Sequence, residues 1–185
     1  LEPDGDPLGG LIETVLSQST SDVNSHRAYG DLRAAFPSWE AVRDVDAAAV
    51  AEAIKRGGLG NIKAARIQAV LRALTATLPA PTDADQSLDA RFAAWLAGMP
   101  VAQARAALKA LPGVGPKTAA CVLLFSLGLP SMPVDTHVYR VSQRLGLIGA
   151  QTSVNRAHEL YDALLPEALV YPLHILFIRH GRTLC

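Results

Sequence analysis

The segment LPGVGPKTAACVLLFSLG, residues 111–128, constrains the fold more than any other part of the sequence. Its two glycines and the proline after them are typical of a turn that leads into a helix, and Pro116 suits the first helical position because its φ angle is fixed. The helix predicted over 117–127 is apolar on nearly every side. Such a helix must be surrounded by other elements, so the segment predicts the centre of a packed core.

The rest of the sequence favours more helices. Hydrophobic residues make up 50% of the chain and aromatic residues only 5%, a balance that suits helices better than strands. No segment alternates convincingly, and residues 1–10 are typical of a turn-rich lead-in. We therefore expect an all-α fold of roughly ten helices. Besides 117–127, helices are predicted at 11–17, 22–36, 39–45, 47–56, 61–78, 87–96, 101–111, 136–145, 153–164 and 172–181.

The charges are unevenly distributed although the net charge is zero. From Arg91 to His158, Asp135 is the only carboxylate beside seven lysines and arginines, and residues 53–82 hold five bases and no acid. This pattern can give one face of the protein a positive potential, which favours a nucleic-acid partner. Ordinary solvated helix faces are the alternative interpretation.

Two absences indicate the compartment. No apolar run reaches the roughly 18 residues that a membrane span needs, and no signal peptide is recognisable. Because Cys121 and Cys185 are the only cysteines, a disulfide framework is not expected. We expect a cytoplasmic protein without a membrane partner.

The turn around Gly113, Val114 and Gly115 has the pattern of a helix-hairpin-helix. Glycines allow a phosphate to approach the backbone, and the N–H groups at the start of the next helix point toward it. Such a hairpin would position DNA without reading its sequence. Taken alone, the same residues also fit an ordinary turn between two helices.

Lys117 and Asp135 are the candidate catalytic residues. Lys117 begins a helix at the edge of an apolar core, where partial desolvation and the helix N-terminus favour a neutral, nucleophilic amine. Asp135 follows 18 residues later at the predicted N-cap of the next helix, and a carboxylate there can stabilise positive charge on a sugar. Alone, one could be a phosphate-binding lysine and the other a cap, but their combination favours catalysis.

These motifs resemble the signature of the endonuclease III branch of the helix-hairpin-helix DNA glycosylases. LPGVGPKTA and PVDTHVYRVSQRLGL carry the resemblance, which extends to LIETVLSQSTSD at 11–22, GGLGNIKAA at 57–65 and HILFIRHGRTLC at the end of the chain. It therefore covers nearly the whole sequence and implies two helical domains that flank a DNA-binding cleft.

The resemblance also implies where the two domains lie. Residues 11–132 would form a helical barrel that holds the helix-hairpin-helix at about 111–127. Residues 1–10 and 133–185 would together form the second domain. The segment 82–100 has the character of an insertion, and we assign it no function.

The activity that the resemblance implies is base excision repair of double-stranded DNA by a nucleoid-associated monomer. A damaged base, usually an oxidised pyrimidine, is flipped out. Lys117 matches the lysine that displaces the base as a Schiff base and then cleaves abasic sites by β-elimination, and Asp135 matches the catalytic aspartate. Lysine at position 117 distinguishes the chain from monofunctional adenine and mismatch glycosylases. These enzymes, a non-catalytic helix-hairpin-helix module and a plain helical interaction domain are the alternatives.

The resemblance assigns further residues to DNA binding. Leu59 matches the residue that wedges into the gap left by the flipped base, and Gly113 and Gly115 match the phosphate-binding hairpin. Ser19 stands where the family often has a glutamine that fills the space beside the orphaned base. Its neighbour Gln18 is the candidate for that role.

The cysteines depart from the family pattern C-x6-C-x2-C-x5-C, whose four thiolates hold a [4Fe-4S] cluster. Only Cys185 stands at a ligand position, and Cys121 is expected to be an inert buried thiol. We expect that this chain alone holds no cofactor, and that Cys185 is a metal ligand only if the native protein continues into an iron–sulfur loop. A relative that naturally lacks the cluster is the alternative. No histidine, including His137 and His174, is assigned a metal-binding or catalytic role.

Overall fold

The computed structural model describes residues 2–83 and 86–185, and the regular elements in this part of the chain are all helices, without a strand. The predicted all-α class is confirmed. The helices, in chain order, are α1 (Pro7–Ser17), α2 (Asp22–Ala35), α3 (Trp39–Asp44), α4 (Ala47–Ala53), α5 (Gly60–Thr77), α6 (Leu88–Ala97), α7 (Val101–Lys109), α8 (Pro116–Cys121), α9 (Thr136–Arg144), α10 (Val154–Leu164) and α11 (Glu167–Thr183).

Two shorter elements complete the order. A 3-10 turn, Lys55–Gly57, precedes α5, and a π-helical segment, Val122–Ser126, continues α8. The described residues contain no helix that is long and apolar enough to cross a membrane.

Side-chain N-caps begin several of the helices. The side chains of Ser21, Ser38, Asp46 and Ser153 each accept a hydrogen bond from a backbone N–H in the first turn of α2, α3, α4 and α10. Short oxygen-bearing side chains satisfy N–H groups that otherwise have no partner within the helix. These local contacts explain why the helix starts could be predicted closely.

Two helix boundaries were predicted wrongly. The first helix begins at Pro7, because Asp6 caps it by accepting a 2.8 Å hydrogen bond from the N–H of Gly9. Pro7 thus occupies a favourable first position. The last helix begins at Glu167, so Pro172 lies inside it. The helix tolerates the lost N–H of this proline while Val170 and Phe177 are buried on either side of it.

The central helix separates two hydrophobic cores. The first core collects buried residues from Leu8 to Leu123, and the second collects residues from Leu124 to Phe177. Consecutive leucines of the π-helical segment thus belong to different cores, which explains why the sequence is apolar on every side there. Leu8 packs into the first core, and the domain boundaries at 11–132 and 133–185 stay a prediction.

Polar contacts join the two cores at their edges. Asp22 and Arg182 connect the start of α2 with the end of α11 through an ion pair of 2.8 Å. Arg105 and Asp162, both mostly buried, form a second ion pair of 2.8 Å between α7 and α10. Burial raises the pKa of Asp162, and the Arg105 guanidinium opposes part of that effect.

Acid should destabilise the fold through His158. This histidine is 6% exposed, and its Nε2 has no hydrogen-bond partner within the described residues. Burial lowers the pKa of His158 from 6.5 to about 4. Between those pH values the unfolded chain binds more protons, so we expect the unfolding free energy to fall by up to about 3 kcal/mol as the pH drops from 6.5 to 4.

Denaturant titrations across this pH range test the expectation. The variant His158→Gln should show a flatter pH dependence than the wild type, whatever its stability at neutral pH. Asp162 acts in the opposite direction in both proteins, so the difference between them isolates His158. Equal slopes for the two proteins would contradict the assignment.

Candidate active site

The two candidate catalytic residues line one cleft. Lys117 is the second residue of α8 and Asp135 is the N-cap of α9. Both side chains are partly buried. They face a cavity of about 590 Å³ together with Gln18 and Ser19, which follow the end of α1. Tyr139 and Arg140 of α9 complete its other wall, along with Ser17, Val134, Thr136 and Val154.

Asp135 combines a structural contact with an accessible oxygen. Its Oδ1 accepts a 2.7 Å hydrogen bond from the backbone N–H of Val138 and so caps α9. Its Oδ2 accepts no hydrogen bond from any described residue. The cap fixes the carboxylate, and the second oxygen remains able to interact with a bound molecule.

A buried histidine supports the loop before Asp135. His174 is 3% exposed, and its Nδ1 lies 3.0 Å from the carbonyl oxygen of Pro133. Because a carbonyl only accepts, Nδ1 carries the proton. Burial lowers the pKa of His174, which keeps the ring neutral. This positioning contact was not predicted, since Pro133 and His174 are 41 residues apart in the sequence.

Lys117 forms no ion pair within the part of the chain that the structure describes. One turn later on the same helix, Cys121 is 8% exposed. Burial raises the pKa of the Cys121 thiol, and the nearby Lys117 ammonium opposes part of this effect. Cys121 is therefore a neutral thiol beside Lys117, as expected for a buried cysteine.

The hairpin before Lys117 needs glycine at one of its two positions. Gly113 has a φ of 73°, and a Cβ added there would lie 2.7 Å from Cδ of Arg66. Gly115 is the N-cap of α8 and has open space at its Cβ position. Between them, the side chain of Val114 is buried in the first core, so only its backbone could contact DNA.

Arg66 connects the hairpin with the start of the cleft. Its Nη1 donates a hydrogen bond to Oε1 of Gln18, while its side-chain stem packs against Gly113. Gln18 therefore points toward α5 and is held there, and its predicted role beside an orphaned base remains a prediction. Ser19 is exposed and has a φ of 55°. The sequence placed Arg66 in an acid-poor stretch but assigned it no role.

Leu59 is an exposed apolar residue with an unusual backbone conformation. Its side chain is 55% exposed, and its φ of 54° lies in the left-handed region, which is unusual for a leucine. Ile62, the third residue of α5, is 58% exposed and was not predicted as a contact residue. Two apolar side chains at the start of one helix fit an insertion between bases, and the wedge role of Leu59 stays a prediction.

The prediction that the bases of residues 53–82 form a positive surface is wrong for one of them, Lys63. It is 2% exposed, and its Nζ donates 2.7 Å hydrogen bonds to the carbonyl oxygens of Leu16 and Gly57. Its ammonium therefore does not contribute to a positive surface, and burial lowers the pKa of the amine. Lys63 thus ties the end of α1 to the loop that carries Leu59.

The thiols of this chain do not fit a four-iron cluster. Cys121 is buried beside Lys117, whereas Cys185 is exposed after the end of α11. No group of three or more metal-binding side chains occurs within residues 2–83 and 86–185. A cluster needs four thiolates, so we derive no chemistry from one, and the assignment of Cys185 as a ligand remains untested.

The comparison with known proteins identifies the family. Residues 12–167 match the HhH-GPD superfamily, described as base excision DNA repair proteins. The chain belongs to the HhH-GPD superfamily. Within this superfamily it is of the endonuclease III type, as the sequence motifs predicted.

Relatives of the HhH-GPD chain are found in bacteria and plants. Endonuclease III of Thermotoga maritima is 32% identical over 180 residues, which cover 97% of this chain and 75% of that protein. Endonuclease III of Escherichia coli is 31% identical over 179 residues, with the same coverage of both chains. An Arabidopsis thaliana protein, provisionally named a DNA glycosylase, is 34% identical, and the chain spans just over half of it, 56%.

Solved structures confirm the HhH-GPD fold. A trapped covalent intermediate of endonuclease III with DNA matches with a TM-score of 0.76 and 28% identity, over 96% of this chain and 74% of that one. A thermostable thymine-DNA glycosylase matches with a TM-score of 0.73 at 20% identity, over 98% of this chain and 76% of that one, a likeness of fold alone.

The two hairpin glycines offer a matched test. We expect Gly113→Ala to lower the unfolding free energy by more than about 1 kcal/mol, because its positive φ and the contact with Arg66 both oppose a Cβ. Gly115→Ala should leave the stability within about 0.5 kcal/mol of the wild type, because its φ is ordinary and its surroundings are open. Urea titrations of both variants would decide, and equal losses would contradict the hairpin geometry.

Proposed function

We propose that this protein is a DNA glycosylase that also cleaves the strand at abasic sites, an AP lyase activity. In this proposal Lys117 is the nucleophile and Asp135 the catalytic carboxylate. The observation that carries the proposal is their shared cleft: an amine without an ion pair and a capped carboxylate with one free oxygen line the same cavity. The endonuclease III relatives and the DNA-bound endonuclease III structure support it.

The first chemical step would break the N-glycosidic bond. The deprotonated form of the Lys117 amine attacks C1′ of an extruded nucleotide and forms a C–N bond, while the bond from C1′ to the base breaks with its electron pair leaving on the base. The attacking nitrogen loses a proton and the base takes one up. Positive charge develops on the sugar as this bond lengthens. The Oδ2 atom of Asp135 can stabilise that charge because the cap holds the carboxylate in place.

The second step would cleave the strand. The bond between C1′ and the ring oxygen then breaks, the ring oxygen takes up a proton, and the adduct becomes a protonated imine between Lys117 and C1′. The imine acidifies the proton on C2′, whose removal expels the 3′ phosphate as the bond from C3′ to oxygen breaks. Water then releases the lysine. An abasic site enters the same route without base loss, because its sugar opens to an aldehyde at C1′, which condenses with the Lys117 amine to the imine and releases water.

The elements around the cleft would hold the DNA. The backbone at Gly113 and Gly115 can receive a phosphate, which positions the duplex without base contacts. Leu59 and Ile62 can enter the stack where the nucleotide has left it. We further propose an oxidised pyrimidine as the lesion, the substrate class that the sequence resemblance implies.

Borohydride trapping tests the nucleophile. Incubated with a duplex that contains one abasic site, the wild type should form a covalent adduct on reduction, because borohydride converts the imine into a stable amine. Lys117→Ala should form no adduct while it still binds the duplex. Lys109→Ala, which changes an exposed lysine at the end of α7, is the matched control and should trap normally.

Two results would overturn the assignment. An adduct that persists in Lys117→Ala would mean that another amine is the nucleophile. Removal of a damaged base by the wild type without any adduct or strand cleavage would indicate a monofunctional glycosylase.

Substitutions of Asp135 separate its two contacts. Asparagine is as good an N-cap as aspartate, so Asp135→Asn should keep the thermal midpoint but lower base excision by roughly 10²-fold or more. Asp135→Ala should lose the cap as well, at a further cost of about 1 kcal/mol in stability. Single-turnover excision and thermal unfolding measure the two effects. Full activity of Asp135→Asn would exclude a catalytic carboxylate.

A further inference from the structure

A second cavity adjoins the catalytic cleft. It has a volume of about 230 Å³ and lies between α1, α2 and the π-helical segment. Ser17 lines both cavities, and Cys121, one turn after Lys117, lines the second. The hydrogen bond from Arg182 lowers the pKa of Asp22 in its wall, and the Lys117 ammonium adds to this effect. The cavity is therefore close to the proposed nucleophile.

A hydroxyl without a hydrogen-bond partner among the described residues lies in the wall of this cavity. Ser126 is 2% exposed, and its hydroxyl has no hydrogen-bond partner within the described residues. A Cβ on Gly10 would lie 2.3 Å from Oγ of Ser126, so only glycine leaves room for the hydroxyl there. Because this hydroxyl lines the cavity and has no protein partner among the described residues, it is available to a ligand.

The remaining polar groups of the cavity are mainly acceptors. Asp4, Glu13 and Asp22 contribute carboxylates, which only accept hydrogen bonds when ionised. Oε1 of Glu13 lies 2.5 Å from Nδ1 of His26, whereas Oε2 has no partner among the described residues. His26, whose side chain is 70% exposed, thus contacts one oxygen of the Glu13 carboxylate and leaves the other free. A ligand that donates hydrogen bonds fits this wall better than one that presents carbonyl oxygens.

We propose that the Glu13–His26 pair selects the extruded base by accepting a hydrogen bond from an exocyclic amino group. The inference rests on the proposed function, because it takes the second cavity as the place where the base of a glycosylase substrate lies. Among oxidised pyrimidines, the pair favours cytosine-derived bases, which carry an amino group at C4. Uracil- and thymine-derived bases carry a carbonyl there, which a carboxylate repels.

Two lesions that differ in the group at C4 of the pyrimidine ring provide the test. Duplexes that contain one 5-hydroxycytosine or one 5-hydroxyuracil are compared in single-turnover excision, and cleavage at an abasic site, which has no base, is the reference. We expect the wild type to remove 5-hydroxycytosine about tenfold faster, since a hydrogen bond to a charged group is worth at least that ratio. This comparison needs no variant and so does not depend on the folding of one.

Glu13→Gln tests the residue itself. Its amide can donate to a carbonyl, so the ratio between the two lesions should fall toward one or reverse. Glu52→Gln, which changes an exposed glutamate of α4 outside the cavity, should keep the wild-type ratio. His26→Ala removes the ring that contacts Oε1 of Glu13. This variant should weaken the preference for 5-hydroxycytosine less than Glu13→Gln does.

The outcomes separate this inference from the proposed function. Equal rates for the two lesions in the wild type, or an unchanged ratio in Glu13→Gln, would overturn the selectivity while cleavage at the abasic site still supports the enzyme assignment. A wild type that processes neither lesion nor the abasic site would overturn the proposed function itself.

Discussion

The buried ammonium of Lys63 is the contact on which the rim of the cleft depends. A charge inside a protein is costly unless its hydrogen bonds are replaced, and Lys63 replaces them with the carbonyl oxygens of Leu16 and Gly57. Both carbonyls lie where the backbone leaves regular structure, one at the end of α1 and one in the turn before α5. If either segment moved, the ammonium would lose its partner, so the two segments are fixed relative to each other.

The location of the cleft follows from the central helix. Lys117 lies at its start, and Leu123 and Leu124 near its end pack into different cores. The cavity that Lys117 lines is bordered on one side by Ser17, Gln18 and Ser19, which follow Leu16 of the first core, and on the other by Val134 of the second core, so it lies at the border between the cores. Asp135 comes to the same border because the loop before it is anchored by His174, which is itself buried in the second core. The packing that separates the cores thus also brings the two side chains to one cavity.

Local signals predicted much of this structure, and contacts between distant residues account for what was missed. The caps at Ser21, Ser38 and Asp135 act within one helical turn, so a single sequence shows them. Arg66 and Gln18 are 48 residues apart, and Lys63 and Leu16 are 47 apart. Nothing in a sequence states that such residues meet. Lys117 and Asp135 were predicted as catalytic residues from their positions in the sequence and from the family resemblance, and the structure has both side chains lining one cavity.

Backbone strain occurs beside the two carbonyls that Lys63 holds. Ser19 and Leu59 are the non-glycine residues with positive φ among those described. Ser19 lies three residues after Leu16, and Leu59 lies two residues after Gly57. A left-handed residue other than glycine costs about 1–2 kcal/mol, whereas each hydrogen bond from a charged donor contributes about 1.5–3 kcal/mol. The two bonds of Lys63 are comparable in size with the strain of both residues, which explains how an exposed leucine can be held in an unfavourable conformation beside this contact.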